Sequence, residues 1–257
     1  LVRHNHIIGV HLSDCILTLL EPLDTLSEAY SKHTDDAASH YLQPLLVLIM
    51  EIYRDSPAAL SNLQQSHIMA MTGLLAESSS PGWRAALLRV LSITCMYRAK
   101  DVAVGDDGAA TASASSLLQS AQMGGVGADS RRSGDYLAVP NNQKAVIDLL
   151  VHTVDDSVFP TSKISESDPN VMLVCFNPGH ASALWLPVHE ALDDAAHQLM
   201  YENLIICLKN SVHGSSVVSA ENIELLSARR LLDYDELVHV LLSSRCPART
   251  RAIAAGA

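Results

Sequence analysis

Apolar residues recur at spacings of three and four along most of the chain, and their interruptions mark a series of short helices. From Leu1 to about Leu26 the positions Ile7, Ile8, Leu12, Ile16, Leu19, Leu20 and Leu23 predict an amphipathic helix that Pro22 bends or ends. HYLQPLLVLIMEIYRDS belongs to a helix predicted over about 35–53; being apolar on most sides, it is expected at the centre of the structure. Asp55-Ser56-Pro57 reads as a helix start, a capping side chain followed by proline in the first turn, and PAALSNLQQS follows as a short helix. SHIMAMTGLLAES is the next, with Ser66 as its expected cap. SSSPGWRAALLRVLSITCMYRA sets Ser80 before Pro81 and lines up Trp83, Leu87, Leu88, Leu91 and Cys95 on one stripe. Short helices joined by short turns predict an all-α fold, an armadillo- or HEAT-like α-solenoid, although no clean repeat is visible in the sequence.

The pattern breaks at 105–136, which is rich in Gly, Ala and Ser and poor in bulky apolar residues. Such a segment cannot offset its own ordering entropy and is expected to be a disordered insert. The chain then divides into a first helical part over 1–104, the insert over 105–136, and a second helical part of the same domain over 137–257. NNQKAVIDLLVHTV opens that second part, with Asn141 or Asn142 as cap. Residues 155–188 change character: NVMLVCF has strand composition, and Pro160, Pro169, Pro178 and Pro187 punctuate an irregular excursion. Periodicity returns in VHEALDDAAHQLMYENLIICLKNSV, expected as one long helix, then in SAENIELLSARRL and DYDELVHVLLSS. The closing CPARTRAIAAGA reads as a helix start cut short or a frayed end.

Composition narrows the function. The 257 residues are 48% hydrophobic but only 4% aromatic, so the core is built from aliphatic side chains. A formal charge of −11 repels nucleic acid and anionic lipid. The longest strictly apolar run, LLVLIM, falls far short of the roughly 20 residues needed to cross a bilayer. Five widely spaced cysteines read as reduced core residues of a cytosolic environment. The opening LVRHNHIIGVHL already reads as helix and has no initiator Met, as in a fragment of a longer polypeptide.

Twelve histidines invite a metal or catalytic reading. A helix would bring His4 and His11 roughly onto one face, with His6 nearby, but solvated or packed histidines are the plainer account. HEALDDAAH fails as a zincin motif, because the second histidine lies eight positions after His189 and not four. The pairs Asp35-Asp36, Asp155-Asp156 and Asp193-Asp194 read as helix-start charges or solvated faces. SRRSGD places Arg131 and Arg132 before Ser133, a setting that suits a basophilic kinase. No nucleophile, base and orienting group assemble from the remainder, so the expectation is a protein without enzymatic activity, metal or cofactor.

Three stretches, IYRDSPAALSNLQQSHIMAMTGLL, LLRVLSITCMYRAKDVAV and VPNNQKAVIDLL, together resemble the homology domain shared by ryanodine receptors and inositol trisphosphate receptors. The resemblance rests on Asp55, Ser56 and Pro57; on His67 and Ile68; on Leu91 and Cys95; on Val102, Ala103 and Val104; and on Asn142, Gln143, Ile147, Leu149 and Leu150. It places the insert in the solvent-facing joint between two of that domain's helices, where long insertions cost little. The downstream HQLMYENLIICLKNSV and LLDYDELVHVLLSSRCPARTRA are closer to inositol trisphosphate receptors. The resemblance implies a cytosolic regulatory segment of an intracellular ligand-gated calcium-release channel. It also implies a homotetramer at a calcium-store membrane and contact with inositol trisphosphate through neighbouring domains. A Tyr-Arg-Lys-Asn cluster of that family falls on Val2, Arg3, His4 and Asn5, leaving Arg3, and His4 when protonated, as ligand contacts. Two alternatives stay open: an armadillo-like scaffold that binds a partner peptide in a groove, and a relative that has lost ligand binding.

Overall fold

The computed structural model describes residues 6–20, 36–78, 80–98, 136–152, 158–176, 178, 183–229, 231 and 234–256. The expected disorder of the insert, the Val102–Val104 joint, Arg3, His4 and Ser133 lie outside these residues.

The described chain is mostly helical. In order it forms α1 (His6–Asp14), α2 (Asp36–Tyr53), α3 (Pro57–Ser61), α4 (Gln65–Glu77), α5 (Pro81–Thr94), β1 (Met96–Arg98), β2 (Tyr136–Ala138) and α6 (Pro140–His152). There follow β3 (Thr161–Ile164), β4 (Met172–Cys175), β5 (Leu186–Pro187), α7 (Val188–Ala191), α8 (Ala195–Ser211), α9 (Val217–Arg229), α10 (Tyr234–Leu242) and α11 (Ala248–Ala255). A turn at Cys15 separates α1 from a further helical stretch over 16–20.

The centre is the pair α5 and α8, and not α2 as its all-round apolar sequence suggests. On α5 the whole expected stripe of Trp83, Leu87, Leu88, Leu91 and Cys95 is buried, as are Ala85 and Val90. On α8, Met200, Tyr201, Leu204, Ile205, Cys207 and Leu208 are buried against it. Helix α2 presents Leu46, Ile49, Ile52 and Tyr53 inward and leaves Val47 exposed, so it lies on the flank of α5. Helix α1 behaves likewise: Ile16 and Leu20 are buried in the stretch that follows it, whereas Ile7 is 73% exposed.

Strands are more numerous than the sequence pattern suggests. Tyr97 faces Leu137 and Arg98 faces Tyr136 in an antiparallel ribbon of β1 and β2. This ribbon brings the two ends of the long insertion together, so the helices on either side keep their packing whatever the loop length. It also ends the insert one residue earlier than its composition implies, at Tyr136. In the 155–188 region the expected single strand is the middle one of three, in the order β3-β4-β5, all antiparallel. Phe176, just after β4, stacks on His197 at 4.3 Å between ring centroids and meets Tyr201 edge-on, which docks the sheet on the first turns of α8.

The long helix expected over 188–212 is broken into α7 and α8. Asp194 is the reason: its carboxylate accepts from the backbone N–H of Ala196 at 3.0 Å and of His197 at 2.9 Å, and so starts α8. The closing segment is a full helix, α11, which packs on α8 and on α10.

Candidate functional site

A helix end leaves carbonyls without intrahelical partners, and a buried end must find donors elsewhere. In this fold the donors come from one dipeptide. Asn142 and Gln143 stand in the first turn of α6, both buried. The Asn142 amide donates to Leu60 O at 3.1 Å and to Thr94 O at 3.0 Å, closing the ends of α3 and α5. The Gln143 amide donates to Asn210 O at 2.8 Å and His213 O at 3.0 Å, closing the end of α8. Asn142 is therefore not the cap of its own helix, which begins at Pro140; it caps two other helices. Asn222 on α9 adds a bond to Ser211 O at 2.8 Å. The ends of three helices, α3, α5 and α8, thus meet the first turn of α6 at one buried joint.

From this joint a polar seam runs along the central pair. Asn203 donates to Ala85 O and Asn210 to Ser92 O, each at 3.0 Å. The acceptors are seven residues apart on α5 (85 to 92) and the donors seven apart on α8 (203 to 210), so the two helices run parallel and in register. Seven residues advance about 10 Å along a helix, the near-repeat that lets two parallel helices stay in contact.

Beside the seam, Glu202 is a buried carboxylate with all its neighbours in place. Its Oε1 accepts from Thr250 Oγ1 at 2.7 Å and Gln198 Nε2 at 2.8 Å, and its Oε2 pairs with Arg249 Nε at 2.9 Å. Two of the three donors belong to α11, so this carboxylate fastens the last helix to the core. Nearby, the Glu236 carboxylate of α10 lies against the Tyr201 hydroxyl. Burial first, and then the Glu236 charge, push the Tyr201 phenol well up from its ordinary range.

Further outward, Arg84 is buried and donates to Ser78 O at 2.7 Å and to Val158 O at 2.9 Å, tying the approach to β3 onto the start of α5. Asp55 takes the left-handed region with φ of 53°, which an Asp tolerates, and its carboxylate accepts from the Arg98 N–H at 3.0 Å. The expected start signal Asp55-Ser56-Pro57 therefore works through backbone shape and a bond to β1; Ser56 makes no capping bond, and neither does Ser80. Helix α4 starts one residue before the expected cap Ser66. There Gln64 is the cap, and its N–H donates to His67 Nδ1 at 3.4 Å.

The histidines of HEALDDAAH fall on different helices, His189 on α7 and His197 on α8, and each faces its own acidic neighbour, Glu190 or Asp194. Among the described residues no three His, Cys, Asp or Glu side chains converge as a metal site, and no helix is long and apolar enough to cross a membrane. Cys95, Cys175, Cys207 and Cys246 are buried as core residues, whereas Cys15 is exposed.

The sequence pattern singled out the Asn142-Gln143 pair but not Glu202, Asn203, Asn210 or Arg84. For the first three the visible signal is polar residues interrupting the apolar face of an otherwise buried helix. Comparison with protein-family models, with curated proteins and with solved structures finds no match.

Proposed function

We propose that this chain is a segment of an armadillo-like α-solenoid from the cytosolic part of an intracellular ligand-gated calcium-release channel, similar to inositol trisphosphate receptors, at the endoplasmic reticulum or another calcium store. Its task is mechanical: it carries a ligand-induced displacement from a binding core towards the pore, and it performs no chemistry. The observation that supports this reading best is the parallel, in-register pair α5 and α8, stapled by Asn203 and Asn210 and closed at one end by Asn142 and Gln143. Helices that run parallel with matched registers are what stacked solenoid repeats produce. Bonds from side chain to backbone make such a pair shift as one body, since sliding by a turn would break both amide bonds at once. The Asn142-Gln143 pair also stands among the residues on which the family resemblance rests. In the intact channel, a homotetramer, Arg3 and His4 contact the ligand together with neighbouring domains, and Ser133 is a kinase target.

The test is calorimetric titration of inositol trisphosphate into the chain joined to its upstream neighbours, beside an Arg3→Ala variant. Binding that weakens in the variant supports the channel reading. Absence of binding in a folded sample favours the armadillo-like scaffold, which needs no such ligand.

A further inference from the structure

The three-stranded sheet has an open side. Strand β3 pairs with β4 alone, and β5 lies beyond β4, so the outer side of β3 has no neighbouring strand. Which backbone groups it presents follows from the ladder. The Ser165 N–H donates to Val171 O at 2.8 Å, in the same register that pairs Thr161 with Cys175 and Lys163 with Leu173. In an antiparallel pair, residues that bond across the ladder alternate with residues that turn their N–H and C=O the other way. Thr161 and Lys163 therefore bond β4, and Ser162 and Ile164 aim both backbone groups outward. Pro187 fits the alternation: it faces Leu173 across the second ladder, at a position where no N–H is needed. Among the described residues nothing bonds the outward groups of Ser162 and Ile164.

Natural sheets guard such edges, often with a lysine. Strand β3 has one, Lys163, but its Nζ lies over the Trp185 ring, 4.5 Å from the centroid. Trp185 stands immediately before β5, on the far side of β4, so the ammonium is held across the sheet and away from the open edge. Ile164 is 51% exposed although Met172 and Val174, on the same face of the next strand, are buried. One more strand would cover Ile164 and continue that apolar face. The edge is short. Pro160 has no N–H to extend it at one end, and after Ser165 the chain turns through exposed Glu166 and Asp168.

We propose that the outer edge of β3 receives an extended segment of a partner protein, one with alternate apolar residues and a lysine or arginine at the end beside Glu166 and Asp168. Ser162 and Ile164 supply two N–H donors and two carbonyl acceptors, the main-chain recognition by which a peptide adds a strand to a sheet, and Ile164 supplies the side-chain contact. Charge selects the partner. Glu166 and Asp168 are exposed and make no ion pair among the described residues, and the chain's formal charge of −11 draws a cationic segment and repels a second copy of itself. A second copy set edge to edge, with Ser162 of each opposite Ile164 of the other, would also put the two Lys163 residues directly opposite, a destabilising pair of like charges. The edge stands on the sheet alone and does not rest on the channel reading.

The probe is the N-acetylated, C-amidated peptide Lys-Val-Thr-Val-Thr-Val-Lys, whose lysine at each end lets either strand direction set one beside Glu166. It is titrated into the full chain by calorimetry, with amide hydrogen exchange read at β3. The expected result is saturable binding that slows exchange at Ser162 and Ile164. Affinity should be at least about tenfold weaker for Ser162→Pro, whose ring removes one outward N–H and leaves the bonds of Thr161 and Lys163 to β4 in place. The same peptide N-methylated at each valine and threonine keeps its charge and side chains and should not bind; this arm needs no variant and decides the matter should Ser162→Pro fail to fold. A peptide with glutamate in place of both lysines should bind at least about tenfold more weakly. Equal binding by the N-methylated peptide reveals charge attraction alone and overturns the edge site, as does the absence of saturable binding by the first peptide. Equal binding by the glutamate peptide overturns the basic partner. A dimer of the chain in sedimentation that Ser162→Pro disperses assigns the edge to a second copy and overturns the partner protein as its occupant.

Discussion

The Asn210 side chain donates to the Ser92 carbonyl at 3.0 Å, while the Asn210 carbonyl itself accepts from Gln143. One residue thus joins α5 to α8 through its side chain and α8 to α6 through its backbone. Hydrogen bonds in such a buried chain reinforce one another, and losing one leaves its partners without water to replace it.

Asn142→Ala strips donors from two buried carbonyls, Leu60 O and Thr94 O, on two different helices. Each abandoned acceptor costs about 1–3 kcal/mol. The variant is expected to lose roughly 3 kcal/mol in urea unfolding, and Asn141→Ala, at an exposed neighbouring position, less than about 0.5 kcal/mol. Equal effects at the two positions would contradict the joint.

Arg249 is 68% exposed and Glu202 is 2% exposed, so the two sides of this ion pair are unequal. Arg249→Ala leaves a buried carboxylate with two neutral donors and is expected to cost about 2 kcal/mol. Glu202→Gln keeps the shape and removes the charge, and in the Arg249→Ala background it should recover part of the loss. A double-mutant cycle read by thermal melting checks this, and strictly additive effects would refute the coupling.

Burial holds the His67 pKa below the ordinary histidine value, with Asp14 opposing only in part, and its Nδ1 accepts the Gln64 backbone N–H. In the folded state the neutral ring is favoured, so the unfolded chain binds the extra proton first. Stability is then unaffected well above the unfolded histidine pKa of about 6.5 and falls as pH drops below it, towards the depressed folded value. Melting temperature measured from pH 8 to pH 5 is expected to fall on the acid side for the parent and to fall less for His67→Gln.

Four buried thiols and one exposed thiol predict two classes of reactivity. Burial pushes Cys95 up to about 12 and raises Cys207 and Cys246 too, so they resist both access and ionisation. An aromatic disulfide reagent should titrate Cys15 at once and the other four only on unfolding. Rapid reaction of a second thiol in the native protein would show that the core opens more readily than its packing implies.

The helices were legible because burial imposes a period that sequence displays: the Trp83-to-Cys95 stripe is buried as a unit. What escaped was set by single polar atoms. Asp194 splits an unbroken apolar rhythm by capping, and Asn142 looks like a cap in sequence yet serves helices that begin 85 and 61 residues before it, at Pro57 and Pro81. The central place of α5 over α2 depends on which of two apolar helices is covered on all sides, and periodicity cannot decide that.

The central claim is that α5 and α8 move as one body because α6 closes both. Native-state hydrogen exchange on Gln143→Ala, read helix by helix, tests it most directly. The account predicts that protection falls by the same free energy along the last turns of α5 and of α8, since releasing Asn210 O loosens the Asn210 bond to Ser92 as well. Loss confined to the end of α8, with α5 protected as in the parent, would contradict it.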